Sequence, residues 1–263
     1  MMHPIKSVIA RHQSWTAGNY NKTKYGRSIA KLKNMHKGEV CFVIGNGPSL
    51  KPEDLQQLHT KHIDCFGTNR IFKIFGKTDW RPKYFVSEDV IIIQGIQKEI
   101  SDIPSDYKFI PINLHWYENV DIKNATYFYM NYNENHPDDV YGLSVNLDSH
   151  ITCRATVSLT CLQLAIYMGY SKIYLLGVDH NFAKMFDKNG NVVEDKSIKN
   201  HFTDDYDKDI IDQGFQIDGA TQAYLDVERL SKKTGTFKVY NATRGGKLEV
   251  FERVDFDEVI KEL

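Results

Sequence analysis

Acidic residues are absent from the first 38 positions of this 263-residue chain, where Lys6, Arg11, Lys22, Lys24, Arg27, Lys31, Lys33 and Lys37 precede the first acid, Glu39. The excess does not extend to the whole chain. Its formal net charge is -1, which argues against a general nucleic-acid binder with a broad basic face. Long apolar runs are also missing. None approaches the ~20 residues that span a bilayer, and the N-terminus lacks the apolar core of a secretory leader. Cysteine is sparse, with only Cys41, Cys65, Cys153 and Cys161 and no CxxC spacing. That excludes a zinc ribbon or a thioredoxin-type motif, and it predicts buried free thiols in a reducing cytoplasm.

What is present reads as one large domain of ordinary soluble composition, 41% hydrophobic and 25% charged, long enough to bury a substantial core. Residues 1–38 read as a basic N-terminal extension, either a solvated helical arm or a surface that meets anionic lipid or an acidic partner. From residue 39 to 263 strand-like and helix-like segments alternate. "EVCFVIG", "IDCFGTN", "PKYFVSED", "KFIPIN", "ATYFYMN", "KIYLLGVD" and "FKVYNAT" read as strands. "KPEDLQQLH", "IIIQGIQKEI", "TVSLTCLQLAIYMGY" and "DGATQAYLDVERLSKKTG" read as helices. This order predicts an α/β fold, a largely parallel sheet with helices on both faces. Residues 181–217 break the rhythm with a long polar stretch. They follow the strand end "LLGVD", where an open parallel sheet places its ligands, so a lid insertion is expected there.

The chemistry-bearing groups gather at the strand ends. In "FVIGNGPSL" a strand runs through Gly45, Asn46, Gly47 and Ser49 toward a helix. Such a turn either is structural or presents backbone N–H groups to an anion. It is neither a Walker loop, since no GK[ST] follows, nor a dinucleotide fingerprint, since Leu50 occupies the third glycine position. Asn69, the run Ser87-Glu88-Asp89, Gly177, Asp179 and Asn241 end other predicted strands. Each alone suits a turn or cap; together they suit a nucleotide crevice on one sheet edge. Glu88 and Asp89 also have the chemistry to hold a divalent metal. Arg154, with Thr156 and Ser158 at the start of the helix that follows it, suits an anion clamp or an ion pair. His201, beside Asp204, Asp205 and Tyr206 in the expected lid, is the best-placed general base.

In combination, "FVIGNGPSL", "RATVSLTCLQLAIYMGYSKIYLLGVD", a lid histidine and "YNATRGGKLEVFERV" resemble the bacterial sialyltransferases of glycosyltransferase family 42. They are equally similar to the wider relatives of that family, the Maf-type flagellin glycosyltransferases and the archaeal 6-hydroxymethylpterin diphosphokinases. The resemblance runs from about Glu39 to about Val254. It implies a modified GT-A, Rossmann-like sheet with a lid closing over a CMP-sugar. It further implies that Asn46 and Asn69 touch the nucleotide, that Arg154 faces phosphate or donor carboxylate, and that Asp179 lies beside the nucleoside. His201 would deprotonate the acceptor hydroxyl, and Tyr206 would assist the departing phosphate. The chain departs from the family at His180-Asn181-Phe182 and at the acidic "SED" run.

The expectation is therefore a cytoplasmic glycosyltransferase of the bacterial cell-surface polysaccharide or lipooligosaccharide type. It would move sialic acid or a related nonulosonic acid from a CMP-sugar to a glycan hydroxyl, with no resident metal or other cofactor. The basic arm would meet the membrane surface peripherally, and self-association is left open. The alternatives are a Mg²⁺-dependent transfer of pyrophosphate from ATP to a pterin alcohol, and a nucleotide-binding module without catalysis.

Overall fold

The computed structural model describes residues 4–132, 136–186, 191–195, 197–206 and 217–263. Within the expected lid, residues 187–190, 196 and 207–216 lie outside the described residues.

Eight strands form one parallel sheet. They are β1 (Val40–Ile44), β2 (Asp64–Thr68), β3 (Tyr84–Val86), β4 (Tyr107–Pro111), β5 (Ala125–Phe128), β8 (Lys172–Leu176), β11 (Lys238–Asn241) and β12 (Glu252–Arg253). Their order across the sheet is β12-β11-β8-β1-β2-β3-β4-β5, with parallel register throughout. The chain steps outward from β1 to β5, returns to β8 on the other side of β1, and steps outward again. The gap between β1 and β8 is thus the topological switch point, where open α/β sheets bind ligands beyond their carboxyl ends. The α/β, Rossmann-like expectation holds.

The central strands are continuous apolar runs because both sheet faces are covered. In β1, Cys41, Phe42, Val43 and Ile44 are all buried, as are Ile173, Leu175 and Leu176 in β8. Helix α7 (Val157–Met168) is apolar on nearly every side and correspondingly buried. Thr156 caps its start by accepting from the Ser158 N–H, and left-handed Gly169 at φ 91° ends it. All four cysteines are free and buried. Burial raises the thiol of Cys65 to about 12, so it is protonated and unreactive at neutral pH.

Two sequence-predicted elements come out divided. "IIIQGIQKEI" forms α4 (Val90–Gly95) and α5 (Gln97–Asp102), broken at Ile96. "ATYFYMN" splits into β5 and a two-residue β6 (Met130–Asn131), which leaves the main sheet to pair with β7 (Ile151–Thr152). The lid supplies a further antiparallel pair, β9 (Lys184–Phe186) and β10 (Val192–Glu194), before α8 (Ile217–Thr234) returns the chain to β11.

The basic arm requires a correction. Residues 1–38 were expected to be an extension outside the domain, but α1 (Pro4–Asn19) and α2 (Lys24–Ala30) lead into the core itself. Tyr20 is buried and donates to the Tyr127 carbonyl at 2.8 Å. Ile29 and Leu32 belong to the main apolar cluster. A side chain on Gly26 would lie 2.3 Å from the Tyr20 carbonyl oxygen and 2.9 Å from that of Asp148. Charge composition marked this segment as separate; Tyr20, in the turn between the two helices, ties it to β5, and Ile29 of α2 packs into the core.

Candidate functional site

A cavity of about 690 Å³ opens at the carboxyl end of the sheet, across the β1–β8 switch point. Its floor depends on close backbone packing. A Cβ on Gly45 would lie 2.3 Å from the Gly177 carbonyl oxygen, so the loops after β1 and β8 meet only because both positions are glycine. The space beside the Gly47 Cα is not left open to a ligand. The space is instead taken by Asp179, whose Oδ2 would be 1.9 Å from a Cβ at Gly47. That same oxygen accepts from Ser49 Oγ at 2.7 Å and from the Ser49 N–H at 3.4 Å. Burial raises the Asp179 pKa and the Ser49 bonds oppose it. Asp179 thereby welds the two loops that form the floor, while still lining the cavity.

Asn46 donates to the Thr68 carbonyl at 3.1 Å and to Thr68 Oγ1 at 3.0 Å, which fixes its amide at the cavity wall. Its carbonyl oxygen Oδ1 is buried with no hydrogen-bond partner. Asn181 Oδ1, also in a cavity-lining residue, is in the same condition. Unpaired buried acceptors cost about 1–3 kcal/mol each, so two around one cavity point to a ligand that brings N–H or O–H donors. Asn69 lines the cavity in left-handed backbone at φ 50° and accepts from Ser87 Oγ at 3.0 Å.

The backbone is strained elsewhere around the rim. Ala155 has φ 56°, and the Thr156 N–H reaches back across it to the Arg154 carbonyl at 2.6 Å, a tight three-residue turn. His180 has φ 53°. Left-handed non-glycine residues cost of order 1–3 kcal/mol each and gather at functional sites; here Asn69, Ala155 and His180 all line one cavity.

Arg154 also lines it, but its Nη2 donates to Asp226 of α8 at 2.6 Å and to the Tyr141 carbonyl at 3.4 Å. Its charge is matched within the protein, so it positions the start of α7 as well as facing the cavity. Thr156 and Ser158 line the cavity at that helix start.

The described part of the lid is docked. The Phe202 N–H donates to the backbone carbonyl of Asn46 at 3.0 Å. Arg70 Nη1 donates to the Tyr206 carbonyl at 2.8 Å, and the Arg70 N–H to the Tyr206 hydroxyl at 3.3 Å. His201 stacks on Tyr206 with ring centroids 3.7 Å apart, and both line the cavity. His180 was not singled out as a base by sequence, although it directly follows Asp179. The structure puts it in the cavity wall, with Nε2 2.8 Å from Thr221 Oγ1. Burial lowers its pKa, so its neutral form is favoured.

Glu88 lines the cavity and accepts from Thr160 Oγ1 at 2.5 Å; burial raises its pKa, with the Thr160 bond opposing. A raised folded pKa means stability that is full below the unfolded carboxyl value and is lost as pH rises through the folded one. Glu88→Gln is therefore expected to flatten the fall in urea stability above pH 4.5, and an unchanged pH slope would place the titration elsewhere. Asp89 caps α4 by accepting from the Ile91 and Ile92 N–H groups.

Three sequence-predicted residues do not line the cavity. Ser87 is fully buried behind Asn69. Ser49 is turned onto Asp179. Asn241 is buried, donating to the Leu248 carbonyl and accepting from the Thr243 N–H, so it builds the loop after β11. A strand-end asparagine looks the same in sequence whether it serves a ligand or a loop.

No curated protein matches this chain. Among solved structures it is similar to the Maf glycosyltransferase from Magnetospirillum magneticum AMB-1, at 12% identity and a TM-score of 0.48. That match covers 89% of this chain and only 38% of the length of the other. It is also similar to the sialyltransferase CstII from Campylobacter jejuni, solved in complex with a substrate analogue, cytidine-5'-monophosphate. There the identity is 16%, the TM-score 0.46, and the coverage 83% of this chain and 85% of that one. A family model described as "6-hydroxymethylpterin diphosphokinase MptE-like" matches residues 15–185, starting inside the basic arm and not at residue 39. With well over half of the chain matched, from α1 through the floor of the cavity to β9, this protein belongs to the MptE-like family.

Proposed function

We propose that the protein is a nucleotide-dependent transferase, and specifically a glycosyltransferase moving a sugar of the sialic or related nonulosonic acid class from a CMP-sugar to a glycan hydroxyl. The observation that carries this reading is the cavity at the switch point, in which two buried amide oxygens without partners, Asn46 Oδ1 and Asn181 Oδ1, share a wall with two imidazoles. A cytosine amine and ribose hydroxyls are donors of the kind those oxygens lack. In the reaction His201 accepts the acceptor's hydroxyl proton as that oxygen bonds to the anomeric carbon. The bond to the nucleotide phosphate breaks, and the charge left on CMP lies near the N–H groups at the start of α7. Asn69 and Asp179 line the nucleoside side, and Tyr206 holds His201 by stacking.

His201→Ala is expected to lower turnover by ~10²–10⁴, the usual worth of a general base, while CMP affinity stays within about threefold. Loss of turnover in His180→Ala with retention in His201→Ala would move the role to His180.

The family match favours a second reading, transfer of pyrophosphate from ATP to a pterin alcohol. Such chemistry uses Mg²⁺ held by hard oxygen ligands. Here Glu88 is engaged by Thr160, Asp89 by the start of α4 and Asp179 by Ser49, which supports the sugar-donor reading. Calorimetry with CMP, CDP, UDP and ATP, with and without Mg²⁺, separates the two. Tighter binding of Mg²⁺–ATP than of CMP would establish the second, and a protein binding no nucleotide would defeat both.

The basic arm suits an acceptor presented at an anionic membrane surface from the cytoplasmic side. Among the described residues no helix is long and apolar enough to cross a membrane. Co-sedimentation with phosphatidylserine vesicles should fall as salt rises; salt-independent or absent binding would remove the arm from this role.

A further inference from the structure

We propose that His136, Asp139 and His150 form a binding site for a divalent transition-metal ion of the zinc type, which clamps the loop between β6 and β7. The site lies outside the cavity, and the nucleotide reading does not use it.

The three residues each offer a ligand atom, and those atoms lie within 4.8 Å of one another. Nitrogen and oxygen donors at ~2.0–2.2 Å around a tetrahedral zinc sit ~3.3–3.5 Å apart, so an ion would draw His136 inward and open the 2.7 Å approach of His150 to Asp139 by about half an ångström. Two imidazoles and one carboxylate are ligands that zinc and its neighbours prefer over calcium or magnesium, which take oxygen. The spacing brings together two turns of a single loop: His136 and Asp139 at its start, and His150 just before β7.

The surroundings resemble those that orient metal ligands. His150 and Asp139 are almost wholly buried, and His150 Nε2 is 2.7 Å from Asp139 Oδ1. The other ring nitrogen of His150 faces Ser149 Oγ at 3.4 Å. Thr152 Oγ1 donates to Asp139 Oδ2 at 2.6 Å, and Ser144 Oγ to Oδ1 at 3.3 Å. Ligand imidazoles and carboxylates are typically held by such outer hydrogen bonds. Gln163 of α7 backs the group, accepting from the Ser144 N–H and donating to the Thr152 carbonyl. The His136 ring lies 4.1 Å from that of His150 between centroids, and its side chain is 23% exposed. That leaves the cluster reachable from solvent at His136. Asp138 stands 3.9 Å from His136 Nδ1 and adds negative charge at the entrance.

The clamp would stiffen the strand that leads from Thr152 into Arg154 and the strained turn at Ala155.

The test uses the full chain after removal of metals with EDTA. Zn²⁺ alone is titrated by calorimetry, and Co²⁺ is titrated for the visible absorption of a tetrahedral N/O site. One ion per chain at ~1 μM or tighter is expected. His136 is partly exposed, so His136→Ala should fold, shown by an unchanged melting temperature in EDTA, and bind Zn²⁺ at least tenfold more weakly. Asp139→Asn, close in shape, should do the same, and the exposed His59→Ala should not. Absence of saturable Zn²⁺ binding would overturn the proposal, as would parent-like affinity in either folded ligand variant; the cluster would then be a buried His–Asp hydrogen bond with a second imidazole stacked on it.

Discussion

Gly47→Ala is expected to lower stability by about 2 kcal/mol, within the usual range for overpacking a tight site, and to reduce nucleotide binding at least tenfold. The added methyl would lie 1.9 Å from Asp179 Oδ2 and 2.8 Å from the Gly177 carbonyl oxygen. A side chain can turn away, but the Gly177 backbone is hydrogen-bonded to the Gly47 N–H at 2.9 Å and cannot retreat without opening the floor. Moving Asp179 would also release Ser49. Gly76→Ala is the internal control, because nothing lies within 4 Å of its added methyl; its change should stay within about 0.5 kcal/mol. In the double variant Gly47→Ala with Asp179→Ala, the nearer clash is gone and the backbone clash remains. Its loss should therefore be smaller than the sum of the single losses. Urea denaturation of the four variants decides this. A Gly47→Ala protein as stable as the parent would mean that the β1 and β8 loops are not packed as described.

The second large effect is expected at Asp226. Removing one partner of a buried ion pair typically costs 3–5 kcal/mol. Asp226 and Arg154 have side chains only 7% and 12% exposed and meet at 2.6 Å. Asp226→Ala is thus expected to lose about 3 kcal/mol, and Arg154→Met less, since Asp226 keeps Arg229 and Gln222 as donors. Arg154→Lys retains charge but loses the planar fork, so it should fall between the parent and Asp226→Ala. The pair joins α8, the first described element beyond residues 207–216, to the turn that starts α7. Equal stability of Asp226→Ala and parent in urea would show that the pair is solvated and structurally idle.

Much of the architecture was legible because local pattern and burial agree. "VCFVI" is apolar throughout and "KIYLL" after its first residue, which is the mark of strands covered on both faces. The amphipathic α8 and the capped, Gly-terminated α7 carried their own start and stop signals. The cavity's place followed from topology, since strand ends of a parallel sheet share an edge. Residues such as Asn46, Asn69, Asp179 and His201 therefore meet although far apart in sequence.

What each group does at that edge was set only by tertiary packing. Residue type names the chemistry a side chain can perform, but its partners decide which part is left for a ligand. Asn46 and Asn241 both follow or end strands; one keeps a buried oxygen without a partner and the other has both ends of its amide engaged. Arg154 reads equally as an anion clamp or half of an ion pair until Asp226, 72 residues away, is brought against it. Gly47 reads as part of an anion-facing turn until the Gly177 carbonyl takes its N–H and the Asp179 carboxylate fills the space beside it. The basic arm reads as separate because charge is visible along a chain, whereas the burial of Tyr20 and Ile29 depends on a β5 edge about a hundred residues later. The sequence by itself determined the layers of this protein and the edge at which its site lies, since both rest on local periodicity. Which of the gathered groups face the cavity was decided by contacts between distant segments, which no local pattern encodes.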